Sequence, residues 1–435
     1  MVSRRGWKSL IGAGLAALGG AALAVAAEPI PPNAELALGQ KVTVEHQAKS
    51  VTGPSVAVDE RGTVHLAWMQ EDRQNGQEVR SVRYARMSQP SASLGTAVQV
   101  NRPEESPYWR QEAPALAVSG DAVFLTWAST HPKAGPDKPF ASELRLSRST
   151  DGGQTFLPSV LVNDDGQAIV HSFDALRLGP DGTLHVSWID GREGKKEPGT
   201  YAARSGDHGR TVGKNRKVDE NTCVCCRTSL TTAPDGTVYL AWRKIFEGNV
   251  RETVVARSND GGRIFSEPVV VGHDRWVFPG CPHRPASIGV DRQGRLYVVW
   301  YTEGADETPA IYLAYSDDGG RTFSAKRALN VSRGTFPDHP QMAVDGQGRL
   351  LVVWEEQSPV RREVVLSYSP DRGATFSKPV RLNEKKGQSP VVAVNEQGLV
   401  AMAWLEHAMP GHKTVIQTAQ LPSQRTALNA PMDSQ

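Results

Sequence analysis

Apolar and polar residues alternate in short runs along most of this chain, and the runs repeatedly end at a tryptophan. The first copies are PSVAVDERGTVHLAW, PALAVSGDAVFLTW and FDALRLGPDGTLHVSW, closing at Trp68, Trp127 and Trp188. TSLTTAPDGTVYLAW, PASIGVDRQGRLYVVW, PQMAVDGQGRLLVVW and PVVAVNEQGLVAMAW follow, closing at Trp242, Trp300, Trp354 and Trp404. Each copy reads as a strand, a turn usually holding Gly, and a second β-rich strand. Neighbouring copies lie 50 to 61 residues apart.

A second repeat follows most of these units: SRSTDGGQTF, ARSGDHGRTV, ARSNDGGRIF, AYSDDGGRTF and SYSPDRGATF. Its core is Ser-x-Asp-x-Gly-x-Thr-Phe, with Val212 and Ile264 as local departures. The Asp accepts backbone N–H bonds within a tight turn, and the Gly supplies positive φ. Each unit is therefore a four-stranded meander, a to d, with the Asp turn between c and d. Seven meanders at this period predict an all-β, seven-bladed β-propeller. Six blades, with one unit degenerate, is the alternative. The last unit has a third strand in TVIQTAQL but no fourth. Lys41–His46, a strand without a unit of its own, is expected to complete that blade and close the ring.

The Asp turns resemble the Asp-box, or BNR, repeats of the sialidase superfamily. The resemblance covers roughly residues 40 to 421 and implies the propeller without implying sialidase activity. That family clamps a substrate carboxylate with three arginines. It also uses a Tyr/Glu nucleophile pair, an Asp acid/base and an Arg-Ile-Pro motif. No Arg-Ile-Pro occurs here. Arg110, Arg227 and Arg284 are the residues that could mimic the clamp, with Glu112 as base and Tyr108 or Tyr301 as the tyrosine. This reading implies a glycoside hydrolase acting on an acidic glycan.

In an antiparallel meander successive turns point to opposite faces. The a–b turns and Asp turns share one face, where the Asp boxes are structural. The d–a crossovers and b–c loops, such as IDGREGKKEPG and RKIFEGNVRE, share the other. Polar b–c loops could grip a protein partner, which makes a non-catalytic binding scaffold a further reading.

Four cysteines in 435 residues change the picture, because three lie in ENTCVCCRTSL and the fourth in FPGCPHRPAS. Cys223, Cys225 and Cys226 precede strand a of unit four, and Cys281 and His283 precede strand a of unit five. Strand a is innermost in a blade, so these crossovers converge at one channel mouth. Positions just before strand a also include Glu112, His171, Asp338 and His339. Three uses of the sulfurs stand open: two disulfides, a metal site or thiol–disulfide exchange. Thiolates with imidazole select soft or borderline ions, copper by softness and zinc next. The Cys-x-Cys-Cys run is not a zinc-ribbon motif. The leading expectation is a metal centre of Cys223, Cys225, Cys226, Cys281 and His283.

Residues 1–27 read as an export signal, with a basic start, an Ala/Gly/Leu-rich middle and small residues before Glu28. Ser3-Arg4-Arg5-Gly6-Trp7-Lys8 looks like a twin-arginine signal, a route for folded proteins to the periplasm. Residues 28–39 are expected as a linker, 40–421 as the propeller and 422–435 as a disordered tail. A net charge of +2 gives no argument for nucleic acid or an anionic membrane. No apolar run after residue 27 is long enough to span a bilayer.

Overall fold

The computed structural model describes residues 36–90, 92–108, 113–194, 196–330, 334–407 and 411–422. The expected leader lies outside them, as do most of the linker and nearly all of the expected tail. Among the described residues no helix is long and apolar enough to cross a membrane.

Seven antiparallel sheets follow one another along the chain, each a meander with strand a innermost. Blade one carries Ser55–Val58, Val64–Gln74, Gln77–Met87 and Val98–Gln99, with Ser50–Val51 added beside its second strand. Blade four runs Ser229–Thr232, Val238–Phe246, Val250–Ser258 and Val269–Val270. Its crossover to blade five turns back, so that Trp276–Val277 pairs with Val250 and Arg251. The ring closes as the pattern predicts, and seven is the blade number. Leu38–His46 pairs antiparallel with His412–Gln420 as the outer strand of blade seven.

The tryptophans explain why the sheets stack. Trp68, Trp127, Trp188, Trp242, Trp300, Trp354 and Trp404 are all buried. Each packs against residues of the preceding blade, as Trp188 does with Phe124, Leu144 and Leu146. Trp68 meets Ala401, Ala403, Leu405 and Ile416 of blade seven across the closure. The core is thus seven inter-blade layers. Truncating such a tryptophan to Ala costs about 3–5 kcal/mol, a large share of the stability of most domains. The innermost strands surround a channel of about 820 Å³, lined toward its a–b end by Glu60, Pro180, Pro234, Asp291 and Glu396.

The Asp boxes lock neighbouring blades from the other end. Gly153, at φ +82°, leaves room for the Tyr84 ring of the preceding blade, and an added Cβ would lie 2.1 Å from Tyr84 Cε1. In the box of blade five, Asp318 Oδ1 accepts the Arg321 and Thr322 amides at 2.9 and 3.0 Å. Its Oδ2 accepts the Thr322 hydroxyl at 2.6 Å. These bonds, the Thr322 hydroxyl foremost, hold the carboxyl well below the usual carboxylate range.

A depressed carboxyl stabilises the fold above its unfolded pKa, and that share is lost as pH falls toward the folded value. The thermal midpoint should therefore drop on acidification below about pH 4, where free Asp protonates. Asp318→Asn should cost about 1 kcal/mol at neutral pH, below the usual value for a charged hydrogen bond, because the carboxylate faces water. It should also flatten the acid slope. Thermal melts from neutral to acid pH check this, and an unchanged slope would contradict it.

Candidate functional site

The d–a crossovers into blades four and five meet as expected. After Asp219 the chain turns at Asn221, which has a positive φ of 58°. It then runs beside strand b of blade four: Cys223 N donates to Arg243 O at 2.8 Å, and Ile245 N donates to Asn221 O at 2.7 Å. The turn at Val224–Cys225 folds Cys226 back onto Cys223, leaving the two sulfurs 3.2 Å apart. Both of these cysteines are 0% exposed. Within Cys-Val-Cys-Cys, residues 223 and 226 are themselves spaced C-x-x-C, a signal hidden by reading the run as one cluster.

Cys225 and Cys281 form a disulfide spanning 56 positions in sequence. In this oxidation state neither of those sulfurs is a thiolate donor, while Cys223 and Cys226 remain thiols. Two donor groups nevertheless converge: Cys223, Cys225 and Cys226 in one, and Cys225, Cys281 and His283 in the other. Within each, the candidate ligand atoms lie within 4.8 Å of one another, and Cys225 belongs to both. Cys281 is exposed, and its sulfur is 3.6 Å from His283 Nε2. Burial, then repulsion from His339, pushes the His283 imidazole toward its neutral form.

Two arginines that the pattern did not single out complete the centre. They sit in RKIFEGNVRE, read from sequence as a polar b–c loop. The structure extends both strands through it, leaving Glu247–Asn249 as the connection. Arg251 donates from Nε to Phe278 O and from Nη2 to Gly280 O, both at 2.7 Å. Its Nη1 reaches Cys223 Sγ at 3.0 Å. One guanidinium thereby fastens the Cys281 crossover to the Cys223 turn. Arg243, 2% exposed, donates from Nη2 to Tyr301 O at 2.7 Å and lies 5.0 Å over the Trp276 ring. Its Nε and Nη1 have no hydrogen-bond partner. Its positive charge acts on both thiols.

The consequence is asymmetric. A hydrogen bond from Cys226, with Arg251 and Arg243 behind it, pulls the Cys223 thiol down to about 6 against the effect of burial. Burial, then the neighbouring Cys223 charge, pushes the Cys226 thiol well up. The two shifts are opposed, so Cys223 is the more acidic member of the pair.

The remaining candidates are held differently. Arg227 ties three blades together, donating to Asp174 O at 2.5 Å and to Ala113 O at 2.8 Å. Arg284 pairs with Asp338 through Nε at 2.9 Å and lies 4.2 Å over the Tyr301 ring. The Tyr301 hydroxyl donates to Glu303 Oε1 at 2.7 Å. Arg110 and Glu112 lie outside the described residues. His171 does not join the sulfurs. Its Nδ1 meets Ser142 O at 2.7 Å, and its Nε2 faces Asp165 at 3.1 Å and Asp190 at 3.7 Å. Arg192 already neutralises Asp190, so this is a built ion network. His339 Nδ1 sits 3.4 Å from both Asp338 and Glu355.

No family model and no curated protein matches the chain. Solved structures do. A polysaccharide lyase, a PL25 ulvan lyase bound to a GlcA–Rha3S unit, aligns over 92% of this chain and 99% of its own, at 10% identity and TM-score 0.56. A protein of unknown function from Dyadobacter fermentans aligns over 90% and 100%, at 13% identity and TM-score 0.54. A Hadza microbial sialidase aligns over 81% and 73%, at 16% identity and TM-score 0.49. The likeness is one of fold alone, that of the propeller described above.

The thiol asymmetry is measurable. Ultraviolet thiolate absorbance of the oxidised protein should rise in one step centred near pH 6. It should correspond to one thiol, with Cys226 silent to alkaline pH. Arg251→Gln should move that step up by about one unit or more, because a cation in contact with the sulfur is lost. A step that stays put would remove Arg251 from the account.

Proposed function

We propose that the d–a mouth of the propeller is a soft-metal site, with copper the ion favoured by ligand softness and zinc the borderline alternative. Its donors are Cys223 and Cys226, with Cys225, Cys281 and His283 joining when the 225–281 disulfide is reduced. The observation that carries this reading is the pair of converging donor groups that share Cys225. The surroundings suit an anionic centre. A buried guanidinium with two unpartnered nitrogens favours an anionic neighbour, and a metal held by two or more thiolates supplies such negative charge. His283 favours the neutral form, which is the form that ligates. Export in the folded state, as the twin-arginine-like start suggests, would let the centre assemble in a reducing compartment and work in the periplasm.

A second reading, glycan hydrolysis, draws on the Tyr301–Glu303 pair beneath Arg284, which lies on the same face. It is the weaker of the two, because the hydrogen bonds of Arg227 and Arg284 go to protein acceptors. Sugar release from a panel of acidic glycans, lost in Tyr301→Phe, would favour it. No release across the panel would retire it.

The metal reading predicts that reduced protein takes up one Cu(I) per chain anaerobically against a competing chelator. Cys223→Ser and Cys226→Ser should each weaken uptake by about tenfold or more. Elemental analysis and chelator competition measure both. Absence of uptake by fully reduced, folded protein sinks the proposal.

A further inference from the structure

The oxidised state has a feature that metal binding does not need. A buried dithiol lies against a disulfide whose other half reaches the surface. Cys223 and Cys226 are 3.2 Å apart and fully buried. Cys225 Sγ is within 4.8 Å of both and is bonded to the exposed Cys281. Arg251 Nη1 touches the Cys223 sulfur, and His283 Nε2 lies beside the Cys281 sulfur. The four sulfurs thus form a path from the interior to the solvent, with a cation at the inner end and an imidazole at the outer end.

We propose that this path is a thiol–disulfide relay in which the Cys223/Cys226 dithiol reduces the Cys225–Cys281 disulfide and so presents a reactive thiol at Cys281 to small disulfide substrates. In the first step the Cys223 thiolate bonds to Cys225 Sγ. The Cys225–Cys281 bond breaks, and its electron pair leaves on Cys281, which is exposed and takes a proton from solvent. In the second step Cys226 bonds to Cys223. The 223–225 bond breaks, its electron pair leaves on Cys225, and the Cys226 proton follows. Two electrons and the Cys226 proton move from the inner pair to the outer pair, solvent supplies the proton on Cys281, and no outside oxidant or reductant enters. The position of each sulfur assigns its role. Cys226 is placed to resolve onto Cys223, its contact neighbour, and closing a bond between the adjacent Cys225 and Cys226 would force a strained turn.

The external reaction follows from access. Exposed Cys281 attacks a low-molecular-weight disulfide such as oxidised glutathione and releases one thiol. Cys225 then attacks Cys281 of the mixed disulfide, releases the second thiol and restores the 225–281 bond. One chain carrying one dithiol and one disulfide therefore reduces one substrate disulfide and ends with two disulfides. Resetting it takes an external dithiol. None of this needs a metal ion, so the relay stands apart from the metal reading.

The test uses the whole exported chain, purified with a strong chelator. Rapid acid quench, alkylation and peptide mapping should find two interconverting forms, one with the 225–281 bond and one with the 223–226 bond. Oxidised glutathione should yield two equivalents of glutathione per chain. Cys281→Ser should slow that release roughly tenfold or more, since the remaining thiols are buried. Cys223→Ser should keep the 225–281 bond and release nothing. The wild-type mapping needs no variant, so a misfolded mutant does not shelter the idea. If mapping finds only the 225–281 bond and glutathione release is nil, the relay is wrong, whether or not the reduced protein binds copper. If exchange occurs without ion uptake, the relay stands and the metal reading falls.

Discussion

A four-stranded sheet with two apolar faces cannot stand alone in water, and in this chain each sheet is completed by its neighbours. The strand-b tryptophans all lean back onto the preceding blade, so blade n supplies the surface that blade n+1 needs. A row built this way has two bare ends. Pairing Leu38–His46 with His412–Gln420 removes them by making the first described strand the outer strand of the last blade. His46 fixes the join twice, with its Nε2 2.8 Å from Thr414 Oγ1 and its ring 5.3 Å from Trp68 of blade one. Closure turns a linear repeat into a ring, and only in a ring do all strand-a starts face a common axis.

The site is a consequence of that convergence. Where the crossovers enter strand a, the backbone is bent. Phe173, His339 and Ser389 have positive φ, at 58°, 46° and 53°, each at a register break against strand b. His283 also has positive φ, at 52°, just before its strand begins. Left-handed non-Gly residues cost about 1–3 kcal/mol each and persist where the surroundings over-determine them. All four lie where crossovers enter strand a, and Phe173 packs against the buried cysteines. The Asp-box turns rely mostly on Gly and on Asp side chains, with His208 and Arg372 as non-Gly residues at positive φ.

The repeat was legible in the sequence because it is written seven times. Each copy alternates with period two, ends in a large core residue and turns on Gly, so every level pointed to the same element. Closure was legible too, as a strand lacking a unit at one end and a unit lacking a strand at the other. The common rim of the cysteines followed from the parity of the meander. Their pairing did not. Three of them lie within four positions, and which one reaches Cys281 depends on a turn at Val224–Cys225 that no periodic pattern encodes. Arg243 and Arg251 were hidden for a related reason. In RKIFEGNVRE they look like loop charges, and only the extension of strands b and c into that segment turns them inward. His171 shares the rim by position but stays outside the centre: strand a begins at that residue, and its ring turns to Asp165 and Asp190 rather than to the sulfurs.

The two uses of the sulfur centre compete for the same electron pairs. A sulfur bonded to sulfur has no thiolate charge to offer a metal, and a metal-bound thiolate attacks a disulfide poorly. With the 225–281 bond intact, two thiols remain, inside and beneath two arginines. With it open, four thiols and an imidazole face one another across the same few ångströms. The positive surroundings do not choose between the outcomes, because a thiolate nucleophile and a metal–thiolate centre are both anionic. Access does distinguish them. Burial of Cys223 and Cys226 protects a thiol from chance oxidants, whereas Cys281 is left in water, where a closed metal site would gain nothing from exposure. That one exposed sulfur is the feature that weighs toward exchange with the surroundings, in place of or before capture of an ion.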